Sequence, residues 1–283
     1  GATESNNLAI FGISRFSTNS FRNRLVTSQI EHKAVLYPCK VLKEDNKDVV
    51  FISVSSEGEI NLQELLDSIN EKTLLVSIHL ANNEIGTIQP IHEIAEYAHS
   101  VGAWVHTDAA QAIGKIPIHV DELGVDLLSM SAHKLYGPKG IGALYIRGGT
   151  KAIPLAPMFY GGGQEFGLRP GTSNVSSIVG FGEAAQLCAH NLDVENSRIQ
   201  RLRDHFEESL LSCIPGLVIN GKNSNRLPNT SSLTFPDIDA DALLLNISDV
   251  MLGTGSACNS GALEPSHVLQ AIGVSREAAQ RTI

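Results

Sequence analysis

Ser131-Ala132-His133-Lys134-Leu135-Tyr136-Gly137-Pro138-Lys139-Gly140 lies between two largely apolar runs, 125–130 and 141–146. Each run has the length and aliphatic content of a strand. Solubility does not explain a histidine and a lysine side by side at such a junction, since lysines are rarely buried unless paired or reacting. A lysine in a partly dry pocket gives up its proton readily and can form a Schiff base. Upstream, His106-Thr107-Asp108-Ala109-Ala110-Gln111 closes another apolar run.

Working outward, further runs read as strands at 25–27, 49–54, 74–80 and 103–107, beside 127–130 and 141–146. Helical spacing separates some of them. Leu62, Leu65, Leu66 and Ile69 share one face, as do Ile91, Ile94 and Ala98. Alternating strands and helices predict an α/β fold with a mainly parallel sheet covered by helices. Ligands in such sheets bind at the carboxyl ends of the strands, where the polar clusters around Asp108 and Lys134 fall. Near residue 190 the texture changes. Ile199, Leu202, Phe206 and Leu210 form a helical stripe, followed by short strands at 217–219 and 231–235 and a segment at 240–247. This predicts a large domain over 1–189 and a smaller α+β domain over 190–283. The opening residues read as a loop entering a helix, and 275–283 reads as a helix without a stop; both ends look cut.

The net charge of −9 gives no support to a nucleic-acid or anionic-membrane partner. No apolar run reaches the ~20 residues of a membrane span, and no stretch reads as a signal peptide. Cys39, Cys188, Cys213 and Cys258 show no CxxC pair, which fits free thiols in a reducing compartment. The histidines show no HExxH and no zinc spacing, so no metal is expected. A Rossmann GxGxxG and a P-loop are also missing.

An Asp and a Lys on nearby strand ends suggest pyridoxal phosphate, with the Asp on the pyridinium nitrogen and the Lys on the aldehyde. A lone Asp there is often a helix cap, and the lysine turns the balance toward the cofactor. Other clusters read two ways. Gly1-Ala2-Thr3 is either a phosphate cradle at a helix N-terminus or part of a Thr-x-x-Asn cap. Glu31-His32 offers either an imidazole for a planar ring or an ordinary loop histidine. Asn82-Asn83-Glu84 is either an amide donor to a phenolate oxygen or a turn. Gly161 to Gln164 and Arg169 to Asn174 are either a surface connection or a loop bringing Thr172 to a phosphate and Arg169 to a charge network. Cys258 lies among small residues in 253–261, where an exposed thiol becomes a nucleophile if its pKa is lowered. Cys188 and Cys213, in apolar runs, are expected to be buried and structural.

GATESNNLAI, TSQIEHKAVL, ANNEIGTIQPI, HTDAAQAIGKIPI, SAHKLYGPKGIGALYIR, GGGQEFGLRPGT and GTGSACNSGALEPSHVL resemble, in order, the cysteine desulfurase family, the NifS/IscS-like branch of fold-type I pyridoxal-phosphate enzymes. The resemblance covers nearly the whole chain. It implies a seven-stranded, mainly parallel sheet. It implies that Lys134 carries the cofactor, Asp108 binds the pyridine nitrogen and His32 stacks on the ring. Asn83 and Gln111 would contact the ring hydroxyl. Ala2, Thr3, Ser131, Ala132 and His133 would hold the phosphate, and Thr172 would reach the phosphate of a partner subunit in a homodimer. Cys258 would accept sulfur from L-cysteine, releasing L-alanine and passing a persulfide to an acceptor or scaffold protein, as in iron–sulfur assembly. A cytoplasmic setting is implied, or a mitochondrial one in a eukaryote. The resemblance also implies a longer protein, with an arginine for the substrate carboxylate beyond Ile283 that Arg281 does not match. The alternatives are a selenocysteine lyase, another fold-type I enzyme such as an aminotransferase, and a non-catalytic scaffold of the same fold.

Overall fold

A computed structural model describes residues 1–17, 21–254 and 265–283. Six strands form one sheet: β1 (Arg24–Ser28), β2 (Asp48–Ile52), β3 (Thr73–Ser77), β4 (Trp104–Asp108), β5 (Leu127–Ser131) and β6 (Gly142–Ile146). Their order is β2-β1-β3-β4-β5-β6. The first five run parallel and β6 pairs antiparallel with β5. The sheet therefore has six strands among the described residues, not seven.

Adjacent residues on each inner strand are both apolar because both faces are covered. Leu25, Leu75 and Leu127 pack against α1 (Ala2–Phe16) and α2 (Lys33–Glu44), meeting Ile10, Ile13, Val35 and Cys39. Their neighbours Val26, Val76 and Leu128 face the other way, onto Leu65 of α3 (Leu62–Ser68) and Ile91, Ile94 and Ala98 of α4 (Ile91–Ser100). A short α5 (Val120–Leu123) leads into β5. The helical spacing at 91–98 thus marks a buried face. On α3 only Leu65 is buried, and Ile69 lies one residue past its end.

The sequence at the start reads as a loop, but α1 is already helical at Ala2, capped by the backbone of Gly1 and not by a Thr3 side chain. Residue 190 falls inside one continuous helix, α6 (Val175–Cys213). The stripe on it is not a buried face: Leu202 and Phe206 are exposed. The tail of α6 packs through Leu210 and Leu211 onto a two-stranded sheet, β7 (Val218–Ile219) with β8 (Leu233–Thr234), together with Leu243 of α7 (Ala240–Asn246). After α8 (His267–Ala271), the segment 275–283 is helical only in α9 (Arg276–Ala279). Ile283 then exchanges backbone hydrogen bonds with Leu233 and lines the same sheet, because an edge strand there leaves its backbone groups free to pair. The cysteines also differ from expectation. Cys39 is the buried one, its thiol pushed up to about 12 by burial, whereas Cys188 is half-buried and Cys213 exposed. An apolar neighbourhood in sequence did not produce burial of either cysteine on α6.

Close backbone approach fixes one glycine. A Cβ on Gly142 would stand 2.5 Å from Met130 O and 2.7 Å from Gly1 Cα. Strand β6 is thereby pressed against the start of α1. Gly142→Ala should destabilise the fold by about 1–3 kcal/mol, the usual cost of overpacking. The check is a lowered denaturant midpoint at unchanged slope.

Candidate active site

The carboxyl ends of β1, β3, β4 and β5 converge on the first turns of α1. Asp108 is the last residue of β4 and only 6% exposed. Asn6 Nδ2 donates to its Oδ2 at 2.6 Å and the Ala110 N–H to its Oδ1 at 2.9 Å. Burial raises the carboxyl's pKa, and these two donors and the nearby His32 oppose the rise. Asn6 is fully buried, and its Oδ1 has no partner among the described residues.

His32 caps α2. Its Nδ1 accepts the Ala34 N–H at 3.0 Å, which places the ring proton on Nε2. Burial holds the imidazole pKa below its ordinary value. Asp108 pulls it up, Lys134 pushes it down and Glu31 pulls it up. His32, Asp108 and Lys134 are therefore brought to one place. Lys134 lies in a single 3-10 turn, Ala132–Leu135, directly after β5. Its Nζ has no hydrogen-bond or ion-pair partner among the described residues.

Ser131 Oγ lies near Gly1 and exchanges a 2.8 Å hydrogen bond with His133 Nδ1. The first intrahelical bonds of α1 come from Glu4 and Ser5, so the Ala2 and Thr3 amides point out of the helix end unpaired. The Ala132 amide donates to Ile141 O at 3.2 Å and its side chain is fully buried.

Of the two amides in the 82–86 loop, Asn82 is spent on structure. Its Oδ1 accepts the Glu84 and Ile85 amides, and its Nδ2 donates to Ile30 O. Asn83 keeps its side chain free of such bonds. Gln111 Oε1 accepts from Lys115 Nζ at 3.1 Å. Thr172 is exposed and makes no side-chain hydrogen bond to the other site residues, while Arg169 pairs with Glu4 at 2.8 Å. Cys258 lies outside the described residues.

Sequence reasoning missed several groups. Glu31 is a fully buried carboxylate that accepts from Ser28 Oγ at 2.7 Å and from the His79 N–H at 3.0 and 3.1 Å, with His79 Nδ1 at 3.2 Å. Its backbone oxygen meets His267 Nε2 at 2.9 Å. His106 bridges Ser77 and Ser129 across three strands, and full burial lowers its pKa to about 4. Asn6 had one usable signal: it sits three residues after Thr3, on the same face of the helix. Glu84, read only as part of a turn, is bonded by Ser266 Oγ, the cap of α8.

Residues 1–278 match the aminotransferase class-V family. The chain is 46% identical to "Cysteine desulfurase IscS" of Dictyoglomus turgidum over 285 residues, covering 100% of this chain and 71% of that protein. It is 44% identical to "Cysteine desulfurase IscS" of Ehrlichia chaffeensis, covering 98% of this chain and 67% of that protein. A solved structure titled "SspA in complex with cysteine" superposes with a TM-score of 0.85 at 39% identity, covering 100% of this chain and 78% of that one. The chain belongs to the aminotransferase class-V family, and its relatives there are cysteine desulfurases.

Burial pushes the Glu84 carboxyl up from 4.5 to about 7, against the Ser266 hydrogen bond and the Lys33 charge. Between those two values the folded state holds a proton that the unfolded chain has released. Stability from this group is therefore lost as pH rises from about 4.5 to about 7. Glu84→Gln keeps a partner for Ser266 but cannot titrate. It should flatten that part of the stability–pH profile by up to roughly 3 kcal/mol, read from denaturant melts at pH 5 and pH 8.

Proposed function

We propose that this chain carries the site of a pyridoxal-phosphate-dependent cysteine desulfurase that moves sulfur from L-cysteine to Cys258 and releases L-alanine. The observation that carries the reading is the meeting of His32, Asp108 and the unpartnered Lys134 amine, with Asn6 bonded to the buried carboxylate. The residues present fit the cofactor. A buried, hydrogen-bonded carboxylate suits a pyridinium proton, and a free amine suits an aldehyde. Unpaired helix amides beside Ser131 Oγ suit a phosphate.

When bound, pyridoxal 5′-phosphate supplies an electron sink for the bonds broken at the substrate's Cα and Cβ. The chain's own groups do the rest. The Lys134 amine would take the proton from Cα and return it. Asp108 would hold the proton on the ring nitrogen, with Asn6 and the Ala110 amide donating to its carboxyl oxygens. His32 would lie against the ring and present an Nε2–H, and Asn83 and Gln111 would face the ring hydroxyl. Ala2, Thr3, Ser131 and His133 would hold the phosphate. The Cys258 thiolate would attack the substrate sulfur. The C–S bond breaks, an S–S bond forms, and the substrate carbon keeps the electron pair and is protonated to L-alanine. A persulfide remains for an acceptor or scaffold protein.

A homodimer is part of the proposal. Tyr136 (94% exposed), Tyr160 (87%) and Phe166 (88%) leave large apolar side chains uncovered around the Lys134 turn and the glycine-rich loop. The edge strand β6 is only half-buried throughout. A second copy would cover these groups and take Thr172 to its own phosphate site. The setting proposed is cytoplasmic, or mitochondrial in a eukaryote. No described helix is long and apolar enough to cross a membrane. Relatives named cysteine desulfurase favour this activity over a selenocysteine lyase or an inert scaffold.

Lys134→Ala should abolish both the visible absorption of the bound cofactor and alanine formation from L-cysteine. Cys258→Ser should keep the absorption and lose the protein-bound sulfur. A Lys134→Ala protein that still forms alanine at the normal rate would sink the assignment.

A further inference from the structure

Lys115 has no part in the chemistry assigned to Lys134, Asp108 and Cys258. It lies in the turn after Asp108, held by Ala112 N–H to Ala109 O and Lys115 N–H to Ala112 O at 3.0 Å each. Inside this turn Gly114 adopts φ +71°, and a Cβ there would fall 2.3 Å from Leu135 Cδ2. The turn is thus pressed against the residue next to Lys134. The Lys115 ammonium makes one hydrogen bond, to Gln111 Oε1 at 3.1 Å.

An ammonium only donates, so the atom of Gln111 that faces it must be the amide oxygen. That fixes which way round the amide sits and leaves the two Nε2 protons for another acceptor. A free glutamine rotates and offers either end. We propose that Lys115 is a positioning residue that locks the Gln111 amide so that its N–H, not its carbonyl, is presented to the cofactor's phenolate oxygen. This rests on the proposed binding of pyridoxal phosphate. The charged groups around Lys115 are consistent with the arrangement. Burial first and the nearby Lys134 second lower its pKa, the Cys188 thiol on α6 opposes them, and together they bring it to about 8. The ammonium is therefore still mainly protonated near neutral pH.

The test uses the full-length protein loaded with pyridoxal phosphate and follows the pH at which its visible band titrates, together with cofactor dissociation. An N–H donated to the phenolate favours the form with fewer protons. Lys115→Met should therefore move the titration upward by about half a unit or more and speed cofactor loss, while Lys115→Arg should restore both. In a Gln111→Ala background the methionine substitution should change little. Lys115→Ala gives the same readouts should the methionine variant fold poorly. An unchanged titration in the Lys115 variants, or an equal shift with and without Gln111, overturns the proposal while leaving the function intact. A wild-type protein that binds no pyridoxal phosphate overturns the function, and this proposal with it.

Discussion

A carboxylate taken out of water must be met by donors, or it takes up a proton and stops being a charge. Asp108 sits at the end of a central strand under that constraint, and much of the local structure answers it. Helix α1 supplies Asn6, and the turn after β4 supplies the Ala110 amide. His32 adds a nearby imidazole from the start of α2. Glu31 poses the same problem one strand away and is met by Ser28 and by both nitrogens of His79 that face it. Two buried carboxyl groups held by different elements tie the helical layer of α1 and α2 to the strand ends more specifically than apolar contact alone would.

Parallel strands make this possible because their carboxyl ends all open on one edge. Side chains just beyond β1, β3, β4 and β5 therefore meet on that edge. Strand β6 is the exception. By returning antiparallel beside β5 it leaves the Lys134 turn at a chain reversal, and Gly142 lets it lie against Gly1. The amine, the helix end and the serine at the base of the turn are placed together by that packing.

The strands and the Asp108–Lys134 pair were legible in the sequence because they depend on local hydrophobic runs and on the polar residues that end those runs. Where burial is decided by distant partners, the sequence misled. Leu202 and Phe206 follow helical spacing that announces a buried face, yet there α6 packs its neighbours Arg203 and Glu207 against Leu227 and Arg226 instead. The change of texture near residue 190 is a change in what the helix meets and not a break in the helix. Asn6 shows only its spacing from Thr3, and Lys115 draws no notice in the sequence, because each matters through a single hydrogen bond whose partner the turn chemistry alone does not reveal. The Ile283 pairing with Leu233 shows how an extended tail can hide behind a helical pattern.

The bond between Asn6 and Asp108 joins residues 102 apart in the chain, and His267 reaches Glu31 across 236. Contacts of that separation form only after much chain entropy has been given up. The pocket therefore has no early, local precursor. A nascent chain can complete α1, the β1–α2 unit and the first strands and still lack both the Asp108 carboxyl and the Lys134 amine. Competence to take up a cofactor should then arrive late in biosynthesis, with the closing of the sheet, so that an unfinished molecule has little means of trapping a reactive aldehyde at the wrong amine.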